Sequence, residues 1–128
     1  MIPDIAPQPN ADTDAAERAV IGAILLHPSM LSECVGHVEP RDFADPAHEA
    51  IYAAILELDD AGAAIDAVTI ASHLRATTRL QRLRAHGGEA YLYALPDAVT
   101  TVENIRFHAQ MVAGRATVRR LVAAATDV

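Results

Sequence analysis

The sequence predicts an all-α protein with a compact head of about five short helices followed by one long helix. The 128-residue chain contains 27 alanines, two phenylalanines, three tyrosines and no tryptophan, and alanine favours helices over strands. Its apolar residues recur at helical spacing, and no strand-like alternation exceeds four residues. At 52% apolar residues the chain can bury a proper interior, but its length fits one domain only.

The chain divides into a leader over residues 1–13, a helical head over residues 14–98 and a long helix over residues 99–128. The leader holds three of the seven prolines and no periodic pattern. Asp14 and Glu17 have the spacing of a capping box and predict where the first helix begins.

The next elements are short and are bounded by recognisable residues. Pro28 begins a short helix that Gly36 ends. We interpret Cys34, the only cysteine, as a buried apolar residue rather than a reactive thiol. Asp45 followed by Pro46 predicts an N-cap and first helical residue.

Apolar residues at positions 47, 51, 54, 55 and 58 then predict an amphipathic helix that Gly62 ends. Asp66 caps the next helix, which runs to about residue 74, and Ile65 and Ile70 occupy the positions of a hydrophobic staple. Residues 75–86 form either a loop with a short helical piece or a loose helix. A short helix over residues 89–95 follows.

Thr100 and Glu103 form another capping box, which opens the long helix. At 100° per residue this helix has two apolar sides. One side carries Ile105, Ala109, Val112, Ala116 and Ala123; the opposite side carries Phe107, Met111, Val118, Leu121, Val122 and Ala125. A surface helix of a monomer needs one apolar face, so the second predicts a further helix, a second subunit, or both. The alternative is a central helix that the head covers on all sides.

The charges are unevenly distributed along the chain, whose net charge is −7. Residues 1–66 hold 13 acidic residues and two arginines, whereas residues 67–128 hold four acidic residues and eight arginines. The asymmetry predicts either two surfaces of different character or an inert dipolar surface. No signal peptide and no 18-residue apolar run are present, so we expect a cytoplasmic protein without a membrane partner.

The sequence predicts no catalytic, cofactor-binding or metal site in these residues. It has no phosphate-binding loop of the G-x-x-x-x-G-K-[ST] type and no lysine at all. Its six histidines lack paired metal-ligand spacing, and His48 followed by Glu49 lacks the second histidine of the H-E-x-x-H motif. We therefore expect that this chain is not an enzyme.

Five segments in order resemble one family. They are DAAERAVIGAILL at residues 14–26, PRDF and HEAIY at 40–43 and 48–52, GAAIDAVTI at 62–70, GGEAYL at 87–92 and TVENI at 101–105. Together they resemble the N-terminal domain of DnaB-type bacterial replicative DNA helicases over nearly the whole chain. Each motif alone is weak, but their order and spacing are specific.

The resemblance implies a collar domain of a hexameric helicase, which mediates subunit pairing and receives primase. The long helix would be the first arm of a helical hairpin. ATP, Mg²⁺ and DNA would be bound only by the full-length assembly, through its motor domain. The resemblance also implies structural roles for Gly22 in close helix packing, for Phe43 and Tyr52 in the core, and for Asp66 as a cap.

By position on the long helix, the residues assigned to contacts with the second arm or neighbouring subunits are Phe107, Met111, Arg115, Val118, Arg119, Leu121 and Val122. Two alternatives stay open. The chain could be a stand-alone relative that regulates a helicase or another partner. It could also be a small helical DNA-binding protein that uses the basic segment 75–84, with Arg75, Arg79, Arg82 and Arg84; this segment is longer and more basic than the family's usual turn.

Overall fold

The computed structural model describes residues 9–99 and 101–126, and all regular structure in these ranges is helical. The α-helices are α1 (Pro9–Leu26), α2 (Pro46–Asp60), α3 (Ala67–Ala76), α4 (Ala90–Ala94) and α5 (Ile105–Thr126). Short 3₁₀ helices at Pro28–Glu33, Pro40–Asp42, Leu80–His86 and Leu95–Ala98 connect them. The predicted all-α class, with a helical head and a long last helix, is confirmed.

Helix α1 begins at Pro9, five residues before the predicted start at Asp14. A proline suits the first turn of a helix because its fixed φ is helical and its missing N–H needs no partner there. Residues 9–13 therefore belong to α1 rather than to a leader, and residues 1–8 lie outside the described ranges. The predicted capping box at Asp14 is wrong: Asp14 lies inside the helix and pairs with Arg18 at 2.8 Å.

Helices α2 and α3 begin where the capping residues predict. The Ala47 N–H donates to Asp45 Oδ1 at 2.9 Å, and the Thr69 N–H donates to Asp66 Oδ1 at 2.7 Å. The apolar stripe of α2 is buried and α2 packs on α3, with Ile70 in the core. Local sequence signals determine these two elements because cap and apolar stripe agree.

Helix α5 begins at Ile105 rather than near residue 99. The preceding residues form a turn, in which the Glu103 N–H donates to Thr101 Oγ1 at 3.2 Å and the Ile105 N–H donates to the Val102 carbonyl at 3.2 Å. Thr100, the predicted cap, lies outside the described residues. The 22 residues of α5 span about 33 Å at 1.5 Å per residue.

Helix α1 lies against α5 on one side and against the 3₁₀ helix Leu95–Ala98 on another. Gly22 makes the second contact possible, because a Cβ there would lie 2.8 Å from the Leu95 carbonyl oxygen and 2.5 Å from Val99 Cγ2. Phe43 and Tyr52 are buried, with ring centroids 4.9 Å apart. These positions confirm the close-packing role of Gly22 and the core roles of the two aromatics.

Cys34 is fully buried, as expected. Burial, with a smaller effect of the nearby Glu33 carboxylate, raises the pKa of its thiol to about 12. None of the described helices is long and apolar enough to cross a membrane.

Candidate functional site

The inner side of α5 packs on the head. Ile105, Ala109, Val112 and Ala116 are buried, and α1 is the element that α5 contacts most closely. Two of the four are alanines, which let two helix backbones approach closely. Ala123 was predicted on the same side, but it is exposed, as is every described residue from position 117 onward.

The opposite side of α5 is exposed and apolar. Phe107, Val118, Leu121 and Val122 expose 62%, 58%, 65% and 59% of their surface. We call these four residues the outer face of α5. They lie within about 100° around the helix and extend over about 22 Å of its length. The alternative of a central helix covered on all sides by the head is therefore wrong.

Met111 was predicted with the outer face but is partly buried against the core. It lines a groove between α1 and α5, together with Asp12, Ala15, Ala16 and His108. Met111 therefore contributes to the packing of α5 on the head as well as to the edge of the outer face.

The two arginines predicted to contact a partner already have partners within the chain. Arg119 Nη2 donates to the Asp42 carbonyl at 2.8 Å, and Arg115 Nη2 lies 3.8 Å from Asp12 Oδ2. Arg120, beside them, lies 3.1 Å from Asp42 Oδ1. These arginines fasten the far half of α5 to the head; their intermolecular role stays a prediction.

Many of the unevenly distributed charges form ion pairs with each other inside the chain. Ion pairs join arginines of the second half to acids of the first: Arg79–Glu57, Arg82–Glu49, Arg106–Glu33, Arg115–Asp12 and Arg120–Asp42. The two halves interlock, so the acidic and basic residues do not separate onto two surfaces.

The same pairing involves most of the basic segment 75–84. Arg79 lies 2.6 Å from Glu57, and Arg75 lies 2.9 Å from Glu89. Hydrogen bonds from Arg79 hold the pKa of the Glu57 carboxyl below its usual value. With these acidic partners the segment presents little free positive charge to a phosphate backbone.

A buried polar cluster lies where α1, α2 and α4 meet, and sequence reasoning missed it. Glu17 and His48 side chains are 1% and 0% exposed, with Glu17 Oε1 and His48 Nδ1 2.8 Å apart. Glu17 also accepts from the Ala44 N–H at 2.7 Å and the Asp45 N–H at 3.3 Å. The carboxylate thus binds the start of α2, where the helix dipole favours an anion.

The cluster continues through both nitrogens of His48. Its Nε2 lies 2.6 Å from the Tyr91 hydroxyl, and burial raises the pKa of Tyr91 to about 12, which keeps that group a donor. His86 stacks on Tyr91 with ring centroids 4.3 Å apart, and its Nε2 lies 2.7 Å from Asp45 Oδ2.

A sequence signal for the cluster did exist. Glu17 stands three, four and seven residues before Val20, Ile21 and Ile24, all fully buried. An acid on an apolar stripe of this kind must be buried with partners. His48 has the same relation to residues 51, 52 and 55 of α2. The prediction that Glu17 forms half of a capping box is wrong, since Glu17 lies inside α1.

The model of the "DnaB-like helicase N terminal domain" family matches residues 8–114. The chain belongs to this family. Among its relatives, the replicative DNA helicase DnaB of Mycobacterium leprae is 39% identical over 125 residues, which cover 98% of this chain and 20% of that protein. Replicative DNA helicase DnaB of Geobacillus stearothermophilus is 37% identical over 113 residues, covering 88% of this chain and 24% of the relative.

Solved structures agree with this assignment. The N-terminal domain of DnaB helicase from Mycobacterium tuberculosis superposes with a TM-score of 0.80 at 40% identity, over 88% of this chain and 79% of that one. A second match, described as a DnaB-like replicative helicase and its interactions with primase, has a TM-score of 0.73 at 31% identity, over 89% of this chain and 26% of the other. The chain thus spans a fifth to a quarter of the length of the full helicases it matches, and the resemblance to DnaB N-terminal domains is confirmed.

Proposed function

We propose that this DnaB N-terminal domain serves as a non-catalytic collar domain, which pairs helicase subunits through the outer face of α5 and supports hexamer assembly. The observation that carries the proposal is the strip of four large apolar side chains left exposed on a helix that is already packed on its other side. Such a strip on a soluble domain indicates an interaction site.

The size of the outer face indicates how strongly it can pair. Fully burying an apolar side chain of this kind contributes about 1.5–3 kcal/mol. Four side chains, each about three-fifths exposed, would contribute roughly 4–7 kcal/mol per copy, or twice that in a symmetric dimer. Association costs about 4–15 kcal/mol. With an association cost at the low end of that range, about 4–6 kcal/mol, the net gain is roughly 4–8 kcal/mol, which corresponds to weak self-association with a Kd in the micromolar to millimolar range.

Sedimentation equilibrium over about 1 μM to 1 mM, which spans the expected range of Kd, tests the pairing. Phe107→Glu combined with Leu121→Glu places two carboxylates on the outer face without touching the half-buried Met111. Val68→Glu is the matched control, because Val68 on α3 is 63% exposed. Wild type and control should associate with rising concentration, and the double variant should stay monomeric. A wild type that is monomeric at 1 mM would refute pairing through this face.

We further propose that the collar receives primase. Support comes from the resemblance and from the match to a helicase described together with its primase interactions. Titrating fluorescently labelled chain with the primase of the same organism would test this, and an absence of saturable binding would refute it for this domain. Catalysis, ATP, Mg²⁺ and contact with DNA would then belong to a motor domain, and the full protein would be a cytoplasmic DNA helicase.

The alternative of a stand-alone regulator predicts a gene that lacks a motor domain. Sequencing onward from codon 128 separates the two: a downstream G-x-x-x-x-G-K-[ST] motif supports the helicase, and an early stop codon supports the regulator.

A further inference from the structure

We propose that Asp45, His48 and His86 form a binding site for a divalent transition metal ion of the zinc class. One ligand atom from each residue lies within 4.8 Å of the other two. Two imidazoles and one carboxylate form a set that Zn²⁺ uses in proteins, with a fourth position open to water. The site uses none of the residues of the outer face of α5, and the proposal does not depend on the proposed pairing or primase docking.

His48 is oriented as a metal-ligating histidine is. Its Nδ1 lies 2.8 Å from Glu17 Oε1, with both side chains buried. Because the carboxylate accepts only, Nδ1 donates to it, and in the neutral imidazole the lone pair is then on Nε2. Histidines bound to metals almost always donate their other ring N–H to a carboxylate, carbonyl or water in this way. Nε2 would bind the ion once the Tyr91 hydroxyl, which lies 2.6 Å from it, turns away.

The two oxygens of Asp45 have separate roles. Oδ1 accepts the Ala47 N–H and caps α2, whereas Oδ2 faces His86 Nε2 at 2.7 Å. Because Oδ1 is engaged at the cap, Oδ2 is the oxygen through which Asp45 would bind the ion.

The distances suit a small ion after modest side-chain rotation. Tetrahedral Zn²⁺ with bonds of about 2.0–2.1 Å places its ligand atoms about 3.3 Å apart, between the 2.7 Å of the His86–Asp45 pair and the 4.8 Å limit of the set. The Tyr91 hydroxyl, 2.6 Å from His48 Nε2, would turn to hydrogen-bond the metal-bound water.

An ion can reach the site from solvent. The His86 and Asp45 side chains are 19% and 24% exposed. A surface cleft of about 340 Å³ opens beside Asp45, lined by Thr13, Asp14, Glu17, Ala44 and Asp45. This cleft gives an ion a route to the Asp45 carboxylate.

Competition between the untagged chain and a chromophoric chelator for Zn²⁺ tests the proposal. The variants are His86→Gln and His73→Gln. They are matched, because His73 Nε2 also lies 2.7 Å from a carboxylate oxygen, that of Glu57, and its side chain is 27% exposed. We expect one Zn²⁺ per chain in wild type, at least tenfold weaker binding in His86→Gln, and an affinity within twofold of wild type in His73→Gln.

A second variant distinguishes the loss of a ligand from the loss of folded structure. Asp45→Asn keeps a good N-cap for α2 but removes the carboxylate, so it should also weaken Zn²⁺ binding at least tenfold while circular dichroism stays helical. Absence of stoichiometric binding to wild type, equal affinity in wild type and Asp45→Asn, or an equal loss in His73→Gln would overturn the site.

Discussion

Replacing Glu17 should destabilise the domain more than replacing any surface glutamate. The side chain accepts from the Ala44 N–H, the Asp45 N–H and His48 Nδ1 at 2.7, 3.3 and 2.8 Å. Hydrogen bonds to a charged group contribute about 1.5–3 kcal/mol each, and a buried donor left without a partner costs about 1–3 kcal/mol. Three such donors bind one buried carboxylate here, so a substitution of Glu17 directly weakens the contact between α1 and the start of α2.

We expect Glu17→Ala to lower the free energy of unfolding by about 3–5 kcal/mol, as breaking other buried polar pairs does. Glu17→Gln keeps the shape and one accepting oxygen but turns an amide N–H₂ toward donors, so we expect about 2–3 kcal/mol. The control is Glu33→Gln. Its pair with Arg106 at 2.6 Å lies in solvent, with side chains 38% and 61% exposed, and exposed pairs contribute at most about 1 kcal/mol.

Urea titration followed by circular dichroism gives these free energies, with equal slopes required among variants. A double-mutant cycle with Tyr91→Phe adds a sharper test. Glu17 and Tyr91 bind the two different ring nitrogens of His48, so their effects should be non-additive by more than about 0.5 kcal/mol. If the free energies of unfolding of Glu17→Gln and Glu33→Gln differ by less than about 0.5 kcal/mol, our account of the buried network is wrong.

Further predictions concern packing, thiol reactivity and pH. Gly22→Ala should lower the free energy of unfolding by about 1–2 kcal/mol in the same titration, because the added Cβ would lie 2.8 Å from a backbone oxygen and this overpacking outweighs the gain in helix propensity. Gly114→Ala should stabilise the domain by about 0.5–1 kcal/mol, because a Cβ at Gly114 would have nothing within 4 Å. Equal effects of the two substitutions would refute this. With a pKa of about 12, about one in 10,000 Cys34 thiols is ionised at pH 8, so a thiol reagent should label it only after unfolding; rapid native labelling would contradict that. Because folding lowers the Asp45 pKa from 3.8, its stabilisation is present above that pH and is lost as the pH falls through the folded value. Asp45→Asn should therefore flatten the acid side of the stability profile, and an unchanged profile would contradict this.

The parts of the fold that sequence predicted well are those fixed by neighbours along the chain. Asp45 and Asp66 cap their helices as expected, because a cap and the N–H it binds are two or three residues apart. The opposite sides of α5 follow from helical periodicity alone. The start of α1 was missed because Pro9 was interpreted as a leader residue, although proline is equally suited to a first helical turn.

The polar cluster could be predicted only in part. The apolar positions around Glu17 and His48 indicate that both side chains are buried, but not that they meet, since they are 31 residues apart in sequence. His86 joins them from the 3₁₀ helix Leu80–His86, a segment without a clear periodic pattern. Metal-ligand spacing in a sequence detects sites within one loop or helix, so it could not indicate the proposed set, in which Asp45 and His48 lie at the start of α2 and His86 lies in a distant 3₁₀ helix.

The distribution of residue sizes on α5 bears on what the helix is for. Its inner side combines Ile105 and Val112 with Ala109 and Ala116, whereas the exposed side carries the larger Phe107 and Leu121. Burying either of the larger side chains would stabilise the head by about 1.5–3 kcal/mol. A helix whose only role was to complete a monomeric core would place them inward. Alanines inward instead let α5 lie close on α1, and the larger residues then define a straight apolar strip on a firmly held helix. A rigid strip loses little conformational freedom when a partner binds, which is the property that subunit pairing requires.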